Sequence, residues 1–194
     1  MMEKAIFGYG GHAKEVLIQL KEKVTFFVDD EYVTNGCKPL SEFNPTKYEI
    51  IIAIADTEKR MEVVNKLPKQ TKYFTFIHPT AQIMDSNISF GEGSFIGANT
   101  ILTTNIKIGK HCILNRGNQI GHDCIIGDFF SAMPGAIISG NVNIGDCVYI
   151  GTNSTIIEKI NVCSNVKMGA NSVTIKNIKK PGTYVGVPSK ILKK

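Results

Sequence analysis

The sequence lacks any long hydrophobic run. Its longest apolar stretches, such as residues 50–55, are far too short to cross a bilayer. The first eight residues lead into a glycine turn, where a secretory signal would have an apolar segment and a small-residue cleavage site. We therefore expect a protein that does not enter the membrane and that resides in the cytoplasm.

The sequence also lacks a Cys-x-x-Cys pair, and it lacks aromatic residues interleaved with its C-terminal lysines, apart from one tyrosine. The five cysteines are odd in number and contain no Cys-x-x-Cys pair, so neither a disulfide framework nor a zinc site is predicted. The net charge is +5, and lysines crowd the segment 176–194. Tyr184 is the only aromatic residue among them, which argues against nucleic-acid binding. The lysines form either a solvated tail or a phosphate-binding patch.

The first 77 residues alternate strand and helix signals. Apolar, β-branched segments at 4–8, 24–28, 49–54 and 72–77 predict four strands. A helix with one apolar face follows the glycines near residue 10, and a second begins after Asp56 or Thr57 and runs to about residue 65. This alternation predicts a small α/β domain with a parallel sheet and right-handed crossovers.

From residue 82 to residue 177 the sequence repeats every six residues. The third residue of each block is apolar in fifteen of sixteen blocks, beginning with Met84, and a glycine often follows it. Neither a helix, with its period of 3.6, nor an ordinary strand, with its period of 2, explains this spacing. We predict a triangular solenoid in which three blocks make one coil. The chain then divides into an α/β domain (1–77) and a solenoid with a C-terminal tail (78–194).

These features together resemble one family. The hexapeptide repeat, with the segments GYGGH (8–12), VDD (28–30), IAIAD (52–56) and IHPTA (77–81), looks like the sialic acid O-acetyltransferase NeuD family of sugar acyltransferases. The resemblance implies a Rossmann-like N-terminal domain and a left-handed parallel β-helix. It also implies a homotrimer that uses acetyl-CoA and has active sites between chains. The family includes N-acetyltransferases of nucleotide-linked 4-amino sugars, and the resemblance implies an enzyme of this kind that acts on a 4-amino-4,6-dideoxy sugar.

The glycine-rich turn is the candidate nucleotide-sugar site. It follows a strand and opens a helix, whose free N–H groups suit a phosphate. Asp29 and Asp30 have the spacing of the acidic residue that binds a ribose. Together with the resemblance, this predicts a substrate site made of Gly10, Gly11, His12, Asp29, Asp30 and Ala55. The alternative is that the glycines serve only a tight turn and that His12 caps the helix.

His122 is the candidate general base. It occupies the fifth place of its block, where side chains point away from the apolar ladder, and Asp123 follows it. Transfer of an acyl group to an amine needs a base of this kind, and a carboxylate can fix the tautomer of the ring. From spacing alone His122 would be an ordinary surface histidine, but the segment 121–127 resembles the catalytic segment of the family. The resemblance also implies an active-site role for Asn115, which is otherwise a turn residue, and places Ser131 where some relatives have a second histidine.

The resemblance implies a coenzyme A groove near the end of the solenoid. In it Gly140 presents an N–H to the acetyl carbonyl, and the remaining contacts are Gly169, Ala170, Pro188 and Lys190. The segment 186–188 could instead simply end the last coil. No metal site is expected, because His111 and His122 are too few and wrongly spaced for a three-histidine centre.

The repeat itself predicts where the active site lies. No long loop leaves it to enclose a substrate, whereas small-molecule sites are concave, so we expect a cleft between chains. Two alternatives to N-acetylation remain open at this point. The same base could serve an O-acetyltransferase of a sialic-acid-like sugar, or the solenoid could be a non-catalytic scaffold or sugar sensor.

Overall fold

The computed structural model describes residues 2–193, and Lys194 of the lysine-rich segment lies outside them. The chain begins with a five-stranded parallel sheet in the order β3-β2-β1-β4-β5. Its strands are β1 (Glu3–Phe7), β2 (Thr25–Val28), β3 (Lys38–Pro39), β4 (Tyr48–Ile52) and β5 (Lys72–Tyr73). Two helices, α1 (Gly11–Leu20) and α2 (Thr57–Lys66), and two 3₁₀ turns (Asp30–Tyr32 and Leu40–Glu42) connect them. Within residues 2–193 no helix is long and apolar enough to cross a membrane.

Local sequence signals determine both helices. Ala13, Val16 and Leu20 of α1 are buried on one face, as the apolar spacing predicts. The helix is followed by Lys21 with φ 54°, whose N–H bonds to the carbonyl of Leu17. Asp56 caps α2 by accepting a 3.0 Å hydrogen bond from the N–H of Lys59, which satisfies one of the helix's free donors.

From Phe76 the chain winds into a three-sided prism of short strands. One coil takes 18 residues, as in the parallel register Ile101↔Gln119. We name the faces I, II and III in the order in which the chain visits them, and each corner by the two faces it joins. Face I contains β6 (Phe76–Ile77), β9 (Phe95–Ile96), β12 (Ile113–Leu114), β15 (Ser131–Ala132), β18 (Tyr149–Ile150), β21 (Val166–Met168), β23 (Gly182–Val185) and β24 (Lys190–Ile191).

The other two faces have the same pattern. Face II contains β7 (Gln82–Ile83), β10 (Ile101–Leu102), β13 (Gln119–Ile120), β16 (Ile137–Ile138), β19 (Thr155–Ile156) and β22 (Val173–Thr174). Face III contains β8 (Ser89–Phe90), β11 (Lys107–Ile108), β14 (Ile125–Ile126), β17 (Asn143–Ile144) and β20 (Asn161–Val162). All these strands pair in parallel, and only the terminal β23 and β24 are antiparallel.

In most of the short strands the second residue points into the prism and builds its core, whereas Ile77 of β6 and Ile191 of β24 are 40% and 45% exposed. On face II, Leu102, Ile120, Ile138 and Ile156 are at most 1% exposed. Each such side chain contributes about 2–3 kcal/mol by leaving water. Glycine allows the coils to approach at the corners: a Cβ on Gly91 would lie 2.5 Å from the backbone of Gly109 in the next coil. The repeat therefore encodes both the core and the coil spacing.

Two sequence expectations differ from the structure. The predicted strand 72–77 is split, because β5 belongs to the N-terminal sheet whereas β6 pairs with β9 of the prism. Met84 is not in the core but 66% exposed, and Ile83 takes the inward place beside Leu102. The reason is one extra residue between Ile83 and Phe90, which lengthens the first corner between faces II and III and shifts the first block out of phase.

The N-terminal domain packs on face I of the prism. The outward side chains Phe95 and Ile113 would be exposed on a bare prism, yet both are 1% exposed because they pack into the same apolar cluster as Val16 of α1. The ring of Phe95 stacks on Phe76 with centroids 5.5 Å apart. The two domains thus share a core.

Arg60 of α2 is the polar centre of this junction and is fully buried. Its Nε donates to the carbonyl of His111 at 2.8 Å, and its Nη2 donates to the carbonyl of Phe129 at 2.7 Å and to the hydroxyl of Ser131 at 2.9 Å. Its Nη1 turns back to the carbonyls of Ile54 and Ala55. Burial lowers the pKa of Arg60 to about 10, so the guanidinium keeps its charge at neutral pH.

We expect Arg60→Ala to lower the free energy of unfolding by about 3–5 kcal/mol, because it leaves several buried carbonyls without donors and opens a cavity. Urea unfolding followed by circular dichroism at fixed protein concentration measures this loss. Arg116, the chain's other arginine, forms an exposed ion pair with Glu15, so Arg116→Ala should change stability by less than about 1 kcal/mol. Equal effects of the two substitutions would contradict the role given to Arg60.

Candidate active site

A histidine–aspartate pair stands at the II/III corner of the prism. His122 Nδ1 lies 2.7 Å from Asp123 Oδ2, and the two side chains are 55% and 44% exposed. Asp123 adopts φ 58°, a left-handed conformation that suits a short polar residue at a sharp corner and lets its carboxylate reach back to the preceding ring. The pair is therefore accessible and already oriented.

The carboxylate is held from below as well. Asn105 occupies the same corner one coil earlier, and its Nδ2 donates to Asp123 Oδ1 at 2.6 Å. This bond, followed by the contact with His122, holds the pKa of the Asp123 carboxyl below its usual value. Asp123 therefore stays ionised at neutral pH and accepts a hydrogen bond from each neighbour.

The geometry selects one tautomer of His122. An ionised carboxylate only accepts hydrogen bonds, so the ring nitrogen facing it, Nδ1, carries the proton. Nε2 is then the basic atom, and it lies against Gly140 of the next coil, where a Cβ would collide with the ring. Among the described residues the Gly140 N–H donates no backbone hydrogen bond, so a donor stands free beside a base.

Asn115 and Ser131 do not join this pair within one chain. Asn115 lies at the I/II corner, is 5% exposed and accepts a hydrogen bond from the N–H of Arg116 at 2.8 Å. Ser131 is fully buried on face I, where its hydroxyl donates to the carbonyl of Ala55 at 2.7 Å. The Ser131 hydroxyl thus supports the domain junction.

A cavity of about 560 Å³ opens at the carboxyl ends of the strands in the N-terminal sheet. It spans the point where the strand order reverses, between β1 and β4, which is where open α/β sheets bind ligands. Glycines, two tyrosines and charged side chains of both signs line it. They are Phe7, Gly8, Tyr9, Gly10, Val28, Asp29, Glu31, Tyr32, Thr34, Ile54, Lys59, Glu62, Val63 and Lys66.

The predicted substrate residues divide around this cavity. Gly10 and Asp29 line it, and Asp29 forms an ion pair with Lys66, in which Oδ1 lies 2.8 Å from Nζ. Asp30 faces away, towards the N–H of Ser41, which donates to it at 3.0 Å. Ala55 turns its carbonyl to the junction. Gly11 opens α1 at the cavity's edge.

His12 points from α1 into the junction. Its ring packs edge-on against Phe95 with centroids 5.6 Å apart, and burial lowers its pKa. His111 is buried in a similar way, between Phe129 and Tyr73, and burial lowers its pKa to about 4. Both rings are therefore neutral at pH 7, whereas His122 is open to solvent.

The predicted cofactor residues lie along the upper prism. Pro188 and Lys190 border a cavity of about 240 Å³ that also includes Lys176, at the II/III corner three coils above His122. Beside it, an open groove of about 510 Å³ runs over face III from Ile125 to Lys179. Gly169 and Ala170 lie instead at the I/II corner, so one chain does not bring them beside Gly140.

Sequence reasoning missed Asn105, Arg60 and the cavity residues Tyr9 and Lys59. A signal existed for Asn105, because it precedes Asp123 by 18 residues, which is one coil. The signal for burial of Arg60 was weaker: it lies three residues after Thr57 and three before Val63, on the buried face of α2.

The comparisons with known proteins agree with this architecture. Residues 5–67 match the model of the PglD N-terminal domain. GDP-perosamine N-acetyltransferase from Escherichia coli O157:H7 is 30% identical over 169 residues, which cover 78% of this chain and 76% of the relative. The prediction of an N-terminal α/β domain followed by a left-handed β-helix is confirmed.

Two solved structures extend the similarity to the whole chain. WeeI from Acinetobacter baumannii AYE superposes with a TM-score of 0.88 at 30% identity, over 99% of this chain and 100% of that one. PerB from Caulobacter crescentus, solved with CoA and GDP-perosamine, superposes with a TM-score of 0.86 at 25% identity, over 100% of this chain and 98% of that one.

Histidine modification tests the geometry without reference to activity. We expect diethyl pyrocarbonate to modify His122 much faster than His12 or His111, because the side chain of His122 is 55% exposed whereas the other two rings are buried. Mass spectrometry of peptides gives the three rates. Gly140→Ala should slow modification of His122, since the added methyl group crowds Nε2. Equal rates for the three histidines in the folded protein would contradict the assigned exposure.

Proposed function

The chain belongs to the hexapeptide-repeat family of sugar acyltransferases, and on this premise we propose that it is an acetyl-CoA-dependent N-acetyltransferase of a nucleotide-linked amino sugar. The match to GDP-perosamine N-acetyltransferase supports an amine acceptor, and the expected sugar is of the 4-amino-4,6-dideoxy class. The single observation that carries the proposal is the His122–Asp123 pair, in which Nδ1 faces the carboxylate and Nε2 lies against Gly140.

The chemistry is a direct transfer. The neutral amine attacks the carbonyl carbon of the thioester, and charge develops on the carbonyl oxygen, where the Gly140 N–H can donate a hydrogen bond. Nε2 of His122 takes the proton that the nitrogen loses, while Asp123 stabilises the imidazolium. The C–S bond then breaks, the thiolate of coenzyme A leaves, and the proton passes from Nε2 to the sulfur. The products are the amide and free coenzyme A.

The position of the N-terminal domain supports active sites between chains. In a triangular prism, face I is opposite the II/III corner, so a sugar bound in the cavity of the docked domain is separated by the prism from its own His122. Only a second copy can bring a cavity to this corner. The exposed apolar side chains Ile125 and Ile137 flank His122 on faces III and II and suit burial at such a contact. We propose a homotrimer, as the family resemblance implies.

The upper prism offers a path for acetyl-CoA. The acetyl group would lie beside His122 and Gly140, and the coenzyme would extend along the groove on face III towards the end of the solenoid. Lys176 lies about 14 Å above His122, three coils at the spacing of paired strands. With Lys190 it gives the phosphates two cations. Gly169 and Ala170, at the I/II corner, would contact the coenzyme of a neighbouring chain.

The N-terminal cavity is proposed to hold the nucleotide. The free N–H groups at the start of α1, beside Gly10 and Gly11, suit the diphosphate, and Asp29 suits the ribose. The rings of Tyr9 and Tyr32 offer faces on which a base can stack. All five cysteines are free, which fits the reducing cytoplasm that we propose as the site of action.

We expect His122→Ala to lower turnover by about a hundredfold or more, because it removes the general base but no core contact. The measurement is release of coenzyme A thiol, with light scattering to show that the oligomer is intact. His78→Ala, which changes a histidine at the entry to the prism, should retain nearly full turnover. Turnover of His122→Ala close to that of the unaltered protein would remove His122 from the mechanism.

A substrate screen tests the reaction itself. GDP-, UDP- and dTDP-linked 4-amino sugars should release coenzyme A and gain an acetyl group on nitrogen, whereas free sialic acids should not react. Mass spectrometry identifies the acetylated atom. Acetylation of a sialic acid hydroxyl would instead establish the O-acetyltransferase.

The same screen, combined with a thermal-shift measurement, tests whether the solenoid is non-catalytic. An acetyltransferase must bind acetyl-CoA, and a ligand at 100 times its Kd stabilises the folded state by about 2.7 kcal/mol. Absence of any thermal shift with acetyl-CoA, together with absence of turnover, would favour a scaffold or sugar sensor.

A further inference from the structure

We propose that Asn105 is a positioning residue for the acetyl transfer, acting on His122 through Asp123. This inference rests on the proposed function for its kinetic test, but its geometry is independent of it. Asn105 Nδ2 donates to Asp123 Oδ1 at 2.6 Å, and the other oxygen of the same carboxylate meets His122 Nδ1 at 2.7 Å. The three side chains form one hydrogen-bonded row across two coils.

The charge of Asp123 determines which group donates and which accepts in each hydrogen bond of the row. The ionised carboxylate can only accept, so the amide must turn its NH₂ group towards Asp123 and its oxygen away. With one oxygen held by Asn105, the carboxylate cannot rotate about its own axis without breaking a charge-assisted bond, which is about twice as strong as a neutral one. The plane of the imidazole, and therefore the direction of the Nε2 lone pair, follows from that restraint.

Asn105 is itself anchored to the first coil. The hydroxyl of Thr104 donates to Asp85 Oδ2, and the N–H of Asn105 lies 3.3 Å from the same oxygen. The other oxygen, Asp85 Oδ1, accepts from the N–H of Asn87 at 3.1 Å. The bond from Thr104 is the main reason that the pKa of Asp85 lies below its usual value. The backbone at Asn105 is thus tied to a carboxylate in the lengthened first corner.

A purely structural role for Asn105 is the competing explanation. Asparagine tolerates the left-handed conformation, and six asparagines of the prism, including Asn105 with φ 53°, have positive φ. Asn105 is distinguished from the others by its side chain: among the described residues it is the corner asparagine whose amide donates to a carboxylate. Asn165 provides the matched comparison, with φ 59°, at an exposed III/I corner.

The kinetic test uses Asn105→Asp and Asn105→Ala. Asn105→Asp keeps the shape and the backbone preference but replaces the donor with a second carboxylate. We expect both variants to lower kcat about tenfold, while KM for acetyl-CoA and for the sugar stays within about twofold. Loss of a residue that orients a metal ligand by a hydrogen bond lowers activity by about 10- to 100-fold, and we expect an effect at the low end of that range. Asn165→Asp should match the unaltered protein. An unchanged kcat in both Asn105 variants would overturn the proposal.

A double-mutant cycle tests the route. If Asn105 acts through Asp123, then Asn105→Ala should cause no further loss in a protein that already carries Asp123→Ala. Multiplying losses would show that Asn105 acts independently of Asp123, and would also overturn the proposal.

A spectroscopic readout separates this inference from the proposed function. Nitrogen-15 NMR of the His122 ring, assigned with His122→Ala, should show the Nδ1–H tautomer in the unaltered protein and a mixture of tautomers in Asn105→Ala. If no sugar is acetylated, the proposed function fails, but a tautomer change still supports the positioning role. An unchanged ring spectrum in Asn105→Ala refutes it whatever the activity.

Discussion

The parallel pairing of each residue with the one 18 positions later is the constraint on which the rest of this structure depends. It places Leu102 beneath Ile120 and Ile138, which fills the core with a ladder of large side chains. The same pairing stacks corner residues on one another. Asn105, Asp123 and Gly140 therefore lie in successive coils of one corner, although the chain between them passes around the whole prism. The fold and the candidate active site thus have one cause.

Docking of the N-terminal domain is the second determinant, and Arg60 controls it. The buried guanidinium loses its hydrogen bonds to water on folding, and hydrogen bonds to carbonyl groups of both domains replace them. Because the carbonyls of His111 and Phe129 lie at fixed places on the prism, these hydrogen bonds favour one orientation of α2 relative to the prism. The orientation leaves the cavity of the N-terminal domain, where we propose that the nucleotide binds, away from face I and open to solvent. This arrangement requires a second chain to complete the site that we propose.

Much of this could be predicted from the sequence. A period of six marks the prism because inward positions accept only apolar side chains, and the α/β domain has ordinary strand and helix signals. The prediction for the first block is wrong, because periodicity cannot detect a single inserted residue. The repeat places Met84 in the core, where the structure has Ile83. The sequence groups Asp30 with Asp29 by spacing and Ala55 by resemblance, yet the direction of a side chain or carbonyl after a strand depends on turns that short motifs do not encode.

The site residues differ in how they could be found. His122 and Asp123 are adjacent, so their contact is local and the sequence displays it. Asn105 is distant in sequence but follows from the 18-residue period once the coil length is known. Arg60 follows from neither rule, because its partners include two successive coils of the III/I corner in another domain. In a solenoid with a docked domain, residues at one corner can therefore be predicted from arithmetic, whereas those at the junction require the three-dimensional structure.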